Sequence, residues 1–362
     1  MIVKEEIANI KDLEFHGDSI SRLKTLREYF AADLSSIHLL MIECKDHGST
    51  FVNTMLGHIV LSSGKRVRPL STIILGYALK AGNYDIDKTK LHRLSASFEI
   101  LHTATILHDD VIDNGRMRRK NATVNANWGD KSAILAGDLL LAQSLEWLVD
   151  IGMIDLIQII VEHTKQMIHG ELHNLNPKKS LETQEEQYIE TITNKTATLF
   201  MAYFGATAKL ANGGQLLFEL LVNFGRNFGI AYQIIDDMLD YTTIPEPQKD
   251  VANDFDNKKI TLPIIYILKN CSESEKYFVM SAFKRQKNKD SLPLILNLIH
   301  RYNALAYCKS KAKSYCDLAK QDLNRIQDYI AQKQLSADNI LKMQDYMLGA
   351  EILLEIILNR NV

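Results

Sequence analysis

Residues 99–113 read EILHTATILHDDVID, and the fold turns on what this stretch requires around it. From about residue 89 onward, apolar residues recur at three- and four-residue steps, the period of a helix. That helix ends in three carboxylates, Asp109, Asp110 and Asp113. In helical geometry Asp109 and Asp113 share one face, and like charges there repel unless cations balance them. Residues 233–240, QIIDDMLD, repeat the arrangement with Asp236, Asp237 and Asp240. A single DDxxD reads equally well as a solvated acidic helix end. Two copies, each closing an apolar helix, point instead to one shared site. Oxygen ligands without His or Cys favour a hard ion such as Mg2+, which keeps waters and bridges to substrate phosphates. Neither cluster has the DxDxDG spacing of an EF-hand.

The helical period continues through the rest of the chain. Leu23, Leu26, Phe30, Leu34, Ile37 and Met41 predict one helix across 21–44. Further helices are expected near 51–62, 69–82, 131–150, 152–175, 183–211 and 215–242, and the period resumes at 260–270, 274–286, 289–332 and 336–359. Pro69 suits a first helical turn, and Gly213-Gly214 a helix stop. No alternating run is long enough for a confident strand. The polar stretch 243–258 holds two of the six prolines and reads as a loop over a site rather than a domain linker. The expectation is all-α: a single large helical bundle around a central apolar cavity, residues 21–362, behind an N-terminal lead, 1–20.

Composition excludes other classes. Lys and Arg total 42 against 44 Asp and Glu, which lacks the basic footprint of a nucleic-acid binder. The four cysteines match neither a zinc knuckle nor a CxxC pair. The N-terminus carries acids where a signal peptide needs an apolar core. The most apolar stretch, about 133–161, is cut by Asp138, Glu146, Asp150 and Asp155, so no bilayer span is expected. A cytoplasmic protein is the resulting expectation.

Cations complement the acids. Lys65, Arg66 and Arg68 stand just before a predicted helix, and Arg116, Arg118 and Arg119 follow the first acidic cluster. Guanidinium forks suit phosphate oxygens. The GKR at 64–66 is not a P-loop, because Arg66 replaces the required Ser or Thr. Two phosphate sites follow: one bridged by metal, one held by cations alone.

GKRVRP, EILHTATILHDDVIDNGRMRRKNATVN, AGDLLLA, NKTATLF and AYQIIDDMLDY, in this order between about 60 and 265, resemble the trans-isoprenyl diphosphate synthases. The resemblance is strongest to the long-chain polyprenyl (octaprenyl) type that serves quinone biosynthesis. It implies that Asp109, Asp113 and Asp236 are principal Mg2+ ligands, supported by Asp110, Asp237 and Asp240. Roughly three ions would be held with substrate bound. It further implies Arg118 on an allylic diphosphate, and Lys65, Arg66, His102 and Arg119 on isopentenyl diphosphate. Lys195, Thr196, Gln233 and Lys249 would close around the allylic diphosphate, with Lys259 in the matching flexible loop. The implied partner is a second copy, in a homodimer, with a peripheral membrane contact for product release and no nucleic acid.

Relatives making short products resemble one another in placing an aromatic four or five residues before the first Asp. Here those positions are Thr105 and Ala104, roughly 6–8 Å below the acids. Small residues predict elongation past the farnesyl length, to about C40 by resemblance. Leu101, Phe98 or leucines in Leu139–Leu141 are candidate floors, although these are equally ordinary core positions. The loop at 248–259 keeps Lys249, Asp254 and Lys259 but lacks three expected glycines, which stiffens it. Three other readings compete: a geranylgeranyl-type synthase, a terpene cyclase, and a non-catalytic subunit of a heteromeric synthase. The intact DDMLD and GKR argue against the cyclase, and the six retained aspartates against the silent subunit.

Overall fold

The computed structural model describes residues 9–44, 49–61, 64–118, 121–174, 183–242, 253–284 and 289–360. They form an all-helical bundle, with one two-residue antiparallel ladder, Met117–Arg118 against Asn121–Ala122. The helices are α1 Ser19–Tyr29, α2 Ala31–Glu43, α3 Thr50–Leu61, α4 Val67–Ala81, α5 Lys88–Ile112, α6 Val124–Trp128 and α7 Asp130–Asp150. They continue with α8 Ile154–Asn174, α9 Glu185–Ile192, α10 Thr198–Leu210, α11 Gly214–Asp240 and the single turn α12 Asn253–Asp256. The last are α13 Leu262–Asn270, α14 Glu273–Lys284, α15 Leu292–Arg301, α16 Ala304–Ala331 and α17 Ala337–Leu358.

The centre is built from α5 against α7, α10 against α11, and α11 against α16, with α4 backed by α17. Helices α10 and α11 touch at backbone distance. A Cβ on Gly225 would stand 2.7 Å from the Phe200 carbonyl oxygen, and one on Gly229 would stand 2.5 Å from Ala197 Cα. Only glycine permits that approach. Below the acidic helix ends the core is aromatic: Phe98 lies flat on Tyr203 with centroids 4.1 Å apart and meets Phe200 edge-on, and Phe200 continues into a cluster with Phe204, Phe224 and Phe228. The chain before α1 docks on α17, where Asp345 accepts the backbone N–H groups of Ile10 at 2.7 Å and Lys11 at 2.8 Å.

Two long helices expected from periodicity are broken. The first divides at Phe30, whose ring is buried against Tyr29, Tyr77 and Tyr346; contacts with distant helices override the local period. The second divides at Asn303, which takes φ 53°, a left-handed turn that Asn tolerates. By length and composition α7 is apolar enough to cross a membrane, contrary to the expectation from its scattered acids. Its Ala133, Ala136, Gly137, Leu140 and Leu148 face is nevertheless buried against α5, as a member of the bundle.

Candidate active site

The two acidic helix ends open on one cavity of about 800 Å3, walled by Asp109, Asp113, Asp236, Asp237 and Asp240, with Asp254 from α12 and Lys259 beyond it. Of the 243–258 stretch, read as a loop over a site, residues 243–252 lie outside the described residues, and Asp254 lines this cavity. Lower walls are apolar: Ile106 on α5, Ile134 on α7, Met167, Ile168 and Leu172 on α8, and Leu199 on α10.

Most acids facing the cavity have an internal cation or donor. Lys195 Nζ lies 3.2 Å from Asp109 Oδ2 and 2.7 Å from Glu171 Oε1. Lys259 Nζ is 2.6 Å from Asp113 Oδ2, and Arg360 Nη2 is 2.8 Å from Asp236 Oδ1. Asp240 accepts the Asp254 backbone N–H at 2.8 Å. Burial alone would lower the Lys195 ammonium, but Asp109 and Glu171 outweigh it and leave the pKa raised. Lys195 and Thr196 reach the cavity from a π-helical turn, Thr193–Ala197, set between α9 and α10. Such turns admit an extra residue and recur at functional sites.

Asp237 is buried at the end of a relay. Thr196 Oγ1 donates to Gln233 Oε1 at 2.6 Å, Gln233 Nε2 donates to Asp237 at 2.7 Å, and Tyr188 OH donates at 2.7 Å. Burial raises the Asp237 carboxyl; the two donors pull it back only in part. Asp254 is also raised, by burial and then by Asp237 and Asp240 beside it. Asp110 turns away from this cavity. It accepts from Arg118 Nε at 3.1 Å and Nη2 at 2.9 Å, and burial leaves its carboxyl raised despite the guanidinium.

A second, smaller cavity of about 110 Å3 adjoins the first and is lined by Lys65, Arg66, Arg68, Glu99, His102 and Arg118. Arg68, His102, Ile106, Arg118 and Tyr232 wall both cavities. Arg66 lines this pocket, but its Nη1 is held 2.9 Å from Glu99 and its Nη2 donates to the Val60 carbonyl at 3.0 Å. Arg68 sits over the Phe200 and Tyr232 rings, at 5.2 and 5.4 Å, at the boundary of the two spaces. Arg119 and Lys249 lie outside the described residues.

Of the chain-length positions, Thr105 lines the large cavity while Ala104 and Leu101 do not; both are fully buried in the core. Sequence reasoning gave no role to three residues that the fold brings in, Glu171, Tyr232 and Arg360, and named Arg68 only as one of three cations before a helix. Arg68 carried a signal, standing in the same GKRVRP stretch as Lys65. Glu171, on α8, reaches the cavity.

The donor set suits a hard divalent cation. Asp109 and Asp113 on one wall and Asp236 and Asp240 on the other offer only oxygen, and internal cations already stand at three of these four. Among the described residues no three His, Cys, Asp or Glu side chains converge on one point. A cation here would complete its shell from phosphate and water rather than from a closed protein cage.

The Polyprenyl synthetase family profile covers residues 49–299, which include both acidic clusters and both cavities. The chain belongs to the Polyprenyl synthetase family. It is similar to the octaprenyl diphosphate synthase of Escherichia coli (strain K12), 28% identical over 308 residues, 84% of this chain and 94% of that one. It is also similar to heptaprenyl diphosphate synthase component 2 of Bacillus subtilis (strain 168), 30% identical over 77% of this chain and 78% of that protein. A polyprenyl synthase from Caulobacter crescentus CB15, crystallised with calcium and isoprenyl diphosphate, superposes with TM-score 0.81 at 28% identity, covering 96% of this chain and 99% of that one. The chain is a trans-prenyltransferase of isoprenoid biosynthesis, with isoprenyl diphosphates as its substrate class.

Proposed function

We propose that this enzyme condenses isopentenyl diphosphate repeatedly on to an allylic diphosphate, with Mg2+, to make a long all-trans polyprenyl diphosphate of about octaprenyl length for a quinone side chain. The observation that carries the reading is the pairing of two spaces across Arg68 and Tyr232. One has carboxylates above apolar walls; the other is small, adjoining and cation-lined. A metal-bridged diphosphate suits the first and a diphosphate held by cations alone suits the second.

Bound divalent ions would neutralise charge on the leaving diphosphate, and Asp109, Asp113 and Asp236 are the residues to hold them, with Asp240 beside them. Asp110 acts by fixing Arg118, and Asp237 by fixing Gln233 and, through it, Thr196. Lys195 and Lys259 exchange their carboxylate partners for diphosphate oxygens, joined by Lys249. Lys65, Arg66, Arg68, His102 and Arg119 orient isopentenyl diphosphate so that its terminal carbon faces the allylic carbon.

The allylic C–O bond breaks with its electron pair leaving on diphosphate. The isopentenyl double bond supplies the pair for the new C–C bond. A proton then leaves C2 to the released diphosphate and the new double bond forms. Apolar walls keep water from the cation. Thr105 and the gap between α7 and α8 leave the growing chain room to descend.

The enzyme would act in the cytoplasm as a homodimer. Exposed Leu135 and Val149 on α7 and Ile154 and Val161 on α8 supply the apolar face for a second copy, and the same face could meet a membrane during product release.

The test is product analysis with Mg2+, labelled isopentenyl diphosphate and farnesyl diphosphate. A narrow long-chain band is expected, and Asp109→Ala should abolish it. No product with any allylic primer would overturn the reading and favour a partner-dependent subunit.

A further inference from the structure

The helix that carries Asp109 and Asp113 has to stop and turn before the chain can bring Arg118 back over it. Asn114 takes φ 53°, a left-handed conformation that asparagine tolerates. The Gly115 N–H donates to the Asp110 carbonyl at 2.8 Å and the Asn114 N–H to the Val111 carbonyl at 3.2 Å, which closes the helix end. Beyond this turn Arg118 folds back on to the Asp110 carboxylate and walls both reaction cavities.

A second set of bonds holds the turn from outside. Asn125, on α6, is 2% exposed. Its Nδ2 donates to the Asp110 carbonyl at 3.1 Å and to the Gly115 carbonyl at 3.0 Å. Thr123 caps the start of α6; its Oγ1 donates to the Gly115 carbonyl at 2.9 Å and its backbone N–H to the Arg116 carbonyl at 3.1 Å. Helix α6 packs in turn on α3 and α7, and its Trp128 meets the His58 ring of α3 edge-on. Asp110 therefore gives its carboxylate to Arg118 and its carbonyl to Asn125.

Stability alone does not account for this asparagine. Turned over, its amide would set an oxygen against two carbonyls, so its acceptors fix the orientation. In that orientation Oδ1 is buried with no partner among the described residues, which costs stability. Both carbonyls also have a donor without it: the Gly115 N–H on one and the Thr123 hydroxyl on the other. What Asn125 adds is a bridge across the two ends of the turn.

We propose that Asn125 is a positioning residue for the condensation: by bridging the Asp110 and Gly115 carbonyls it sets where the Arg118 guanidinium stands between the two cavities. The inference rests on the two-diphosphate reading above. With the bridge in place, the turn and the carboxylate under Arg118 hold as one piece, and the guanidinium meets diphosphate in a fixed place. Without it the turn keeps its other bonds, but the arm beyond gains freedom and the reacting groups lose alignment.

The test is a double-mutant cycle of Asn125→Leu against Arg118→Ala. Leucine keeps the branched shape and removes the donors. Calorimetric titration of the full chain with inorganic diphosphate in EDTA reads anion binding without turnover. Initial rates with Mg2+, isopentenyl diphosphate and farnesyl diphosphate read catalysis. Asn125→Leu should weaken diphosphate binding and lower kcat/KM about tenfold, chiefly through KM, with an unchanged melting curve. In the Arg118→Ala background the same substitution should change either quantity by less than about twofold. Asn125→Ser, whose hydroxyl can serve only one carbonyl, should fall between, and it carries the cycle if the leucine variant melts early. Equal losses in both backgrounds would overturn the proposal, because Asn125 would then act without Arg118. So would wild-type affinity and rates in Asn125→Leu, or losses that follow a lowered melting temperature in both variants. A wild type that makes no product, beside a calorimetric cycle that comes out as expected, would strike the catalytic reading and leave the positioning of Arg118 standing.

Discussion

Thr105→Phe should shorten the product, and Ala104→Phe should not do so cleanly. Thr105 lies one helical turn below Asp109 on α5, about 6 Å along the axis, and its side chain borders the large cavity. An isoprene unit adds four backbone bonds, about 5 Å when extended at the rise per bond of an extended chain. A phenyl ring at 105 therefore meets the chain after roughly one or two units beyond the reacting carbon. Elongation should stall near the farnesyl or geranylgeranyl length. The threonine hydroxyl donates only to the His102 carbonyl of its own helix, at 2.8 Å, so its loss costs the fold little. Ala104 is 1% exposed, and a phenyl group forced in there overpacks the core by about 1–3 kcal/mol or more. The assay is thin-layer separation of dephosphorylated labelled products, beside thermal melts of both variants. A full-length distribution from Thr105→Phe, with shortened products from a stable Ala104→Phe, would refute the reasoning and put the tunnel on the other side of α5.

Lys259→Met should separate metal binding from catalysis: freeing Asp113 from its 2.6 Å ion pair should tighten Mn2+ binding measured by calorimetry without diphosphate, while kcat/KM for the allylic substrate falls about tenfold or more. Gly225→Ala should destabilise the bundle by about 2–3 kcal/mol, because the new methyl would meet the Phe200 carbonyl oxygen at 2.7 Å and the Met201 nitrogen at 2.8 Å, neither of which can rotate away; unchanged urea unfolding would contradict that packing. Asp33 tests a pH dependence far from the site. Burial raises its carboxyl, but donation from His92, Tyr77 and Lys88 wins and holds it down to about 2. A depressed folded value means stability present above about pH 4 and lost as pH falls towards 2. Asp33→Asn should therefore cost on the order of 1–2 kcal/mol at pH 7, with the gap to wild type closing through that window; a gap that persists at low pH would rule out the linkage.

The parts of the site legible in sequence are those the chain keeps within a few residues of each other. Asp109 with Asp113, and Gln233 with Asp236 and Asp240, are spaced by the helix itself, so periodicity and charge place them together without tertiary knowledge. Periodicity does not resolve which of two neighbouring positions faces a cavity. Adjacent residues differ by about 100° around a helix, and Ala104 and Thr105 fall on either side of that margin. Long-range partners leave still less trace. Glu171 reads as one acid on a polar helix end until α8 crosses beside Lys195. Arg360 reads as a terminal surface residue until α17 carries it back to Asp236. Phe30 looks like one more apolar position in a single helix, and it becomes a break because the Tyr77 and Tyr346 rings hold it from elsewhere in the chain.

The internal cations explain how so many carboxylates can face one cavity before substrate arrives. Left bare, Asp109, Asp113 and Asp236 would oppose folding by mutual repulsion and by loss of solvation. Lys195, Lys259 and Arg360 remove that penalty from within the chain, one from a π-helical turn, one from the loop beside α12 and one from just beyond α17. Under the proposed function, a diphosphate accompanied by divalent ions would bring anion and cation together, so that Asp109, Asp113 and Asp236 could each exchange one positive partner for another while Lys195 and Lys259 turn to phosphate oxygens. On that reading site closure would be a repartnering of ion pairs, and Lys259, held 2.6 Å from Asp113 just beyond α12, would be the residue that couples the loop to the diphosphate.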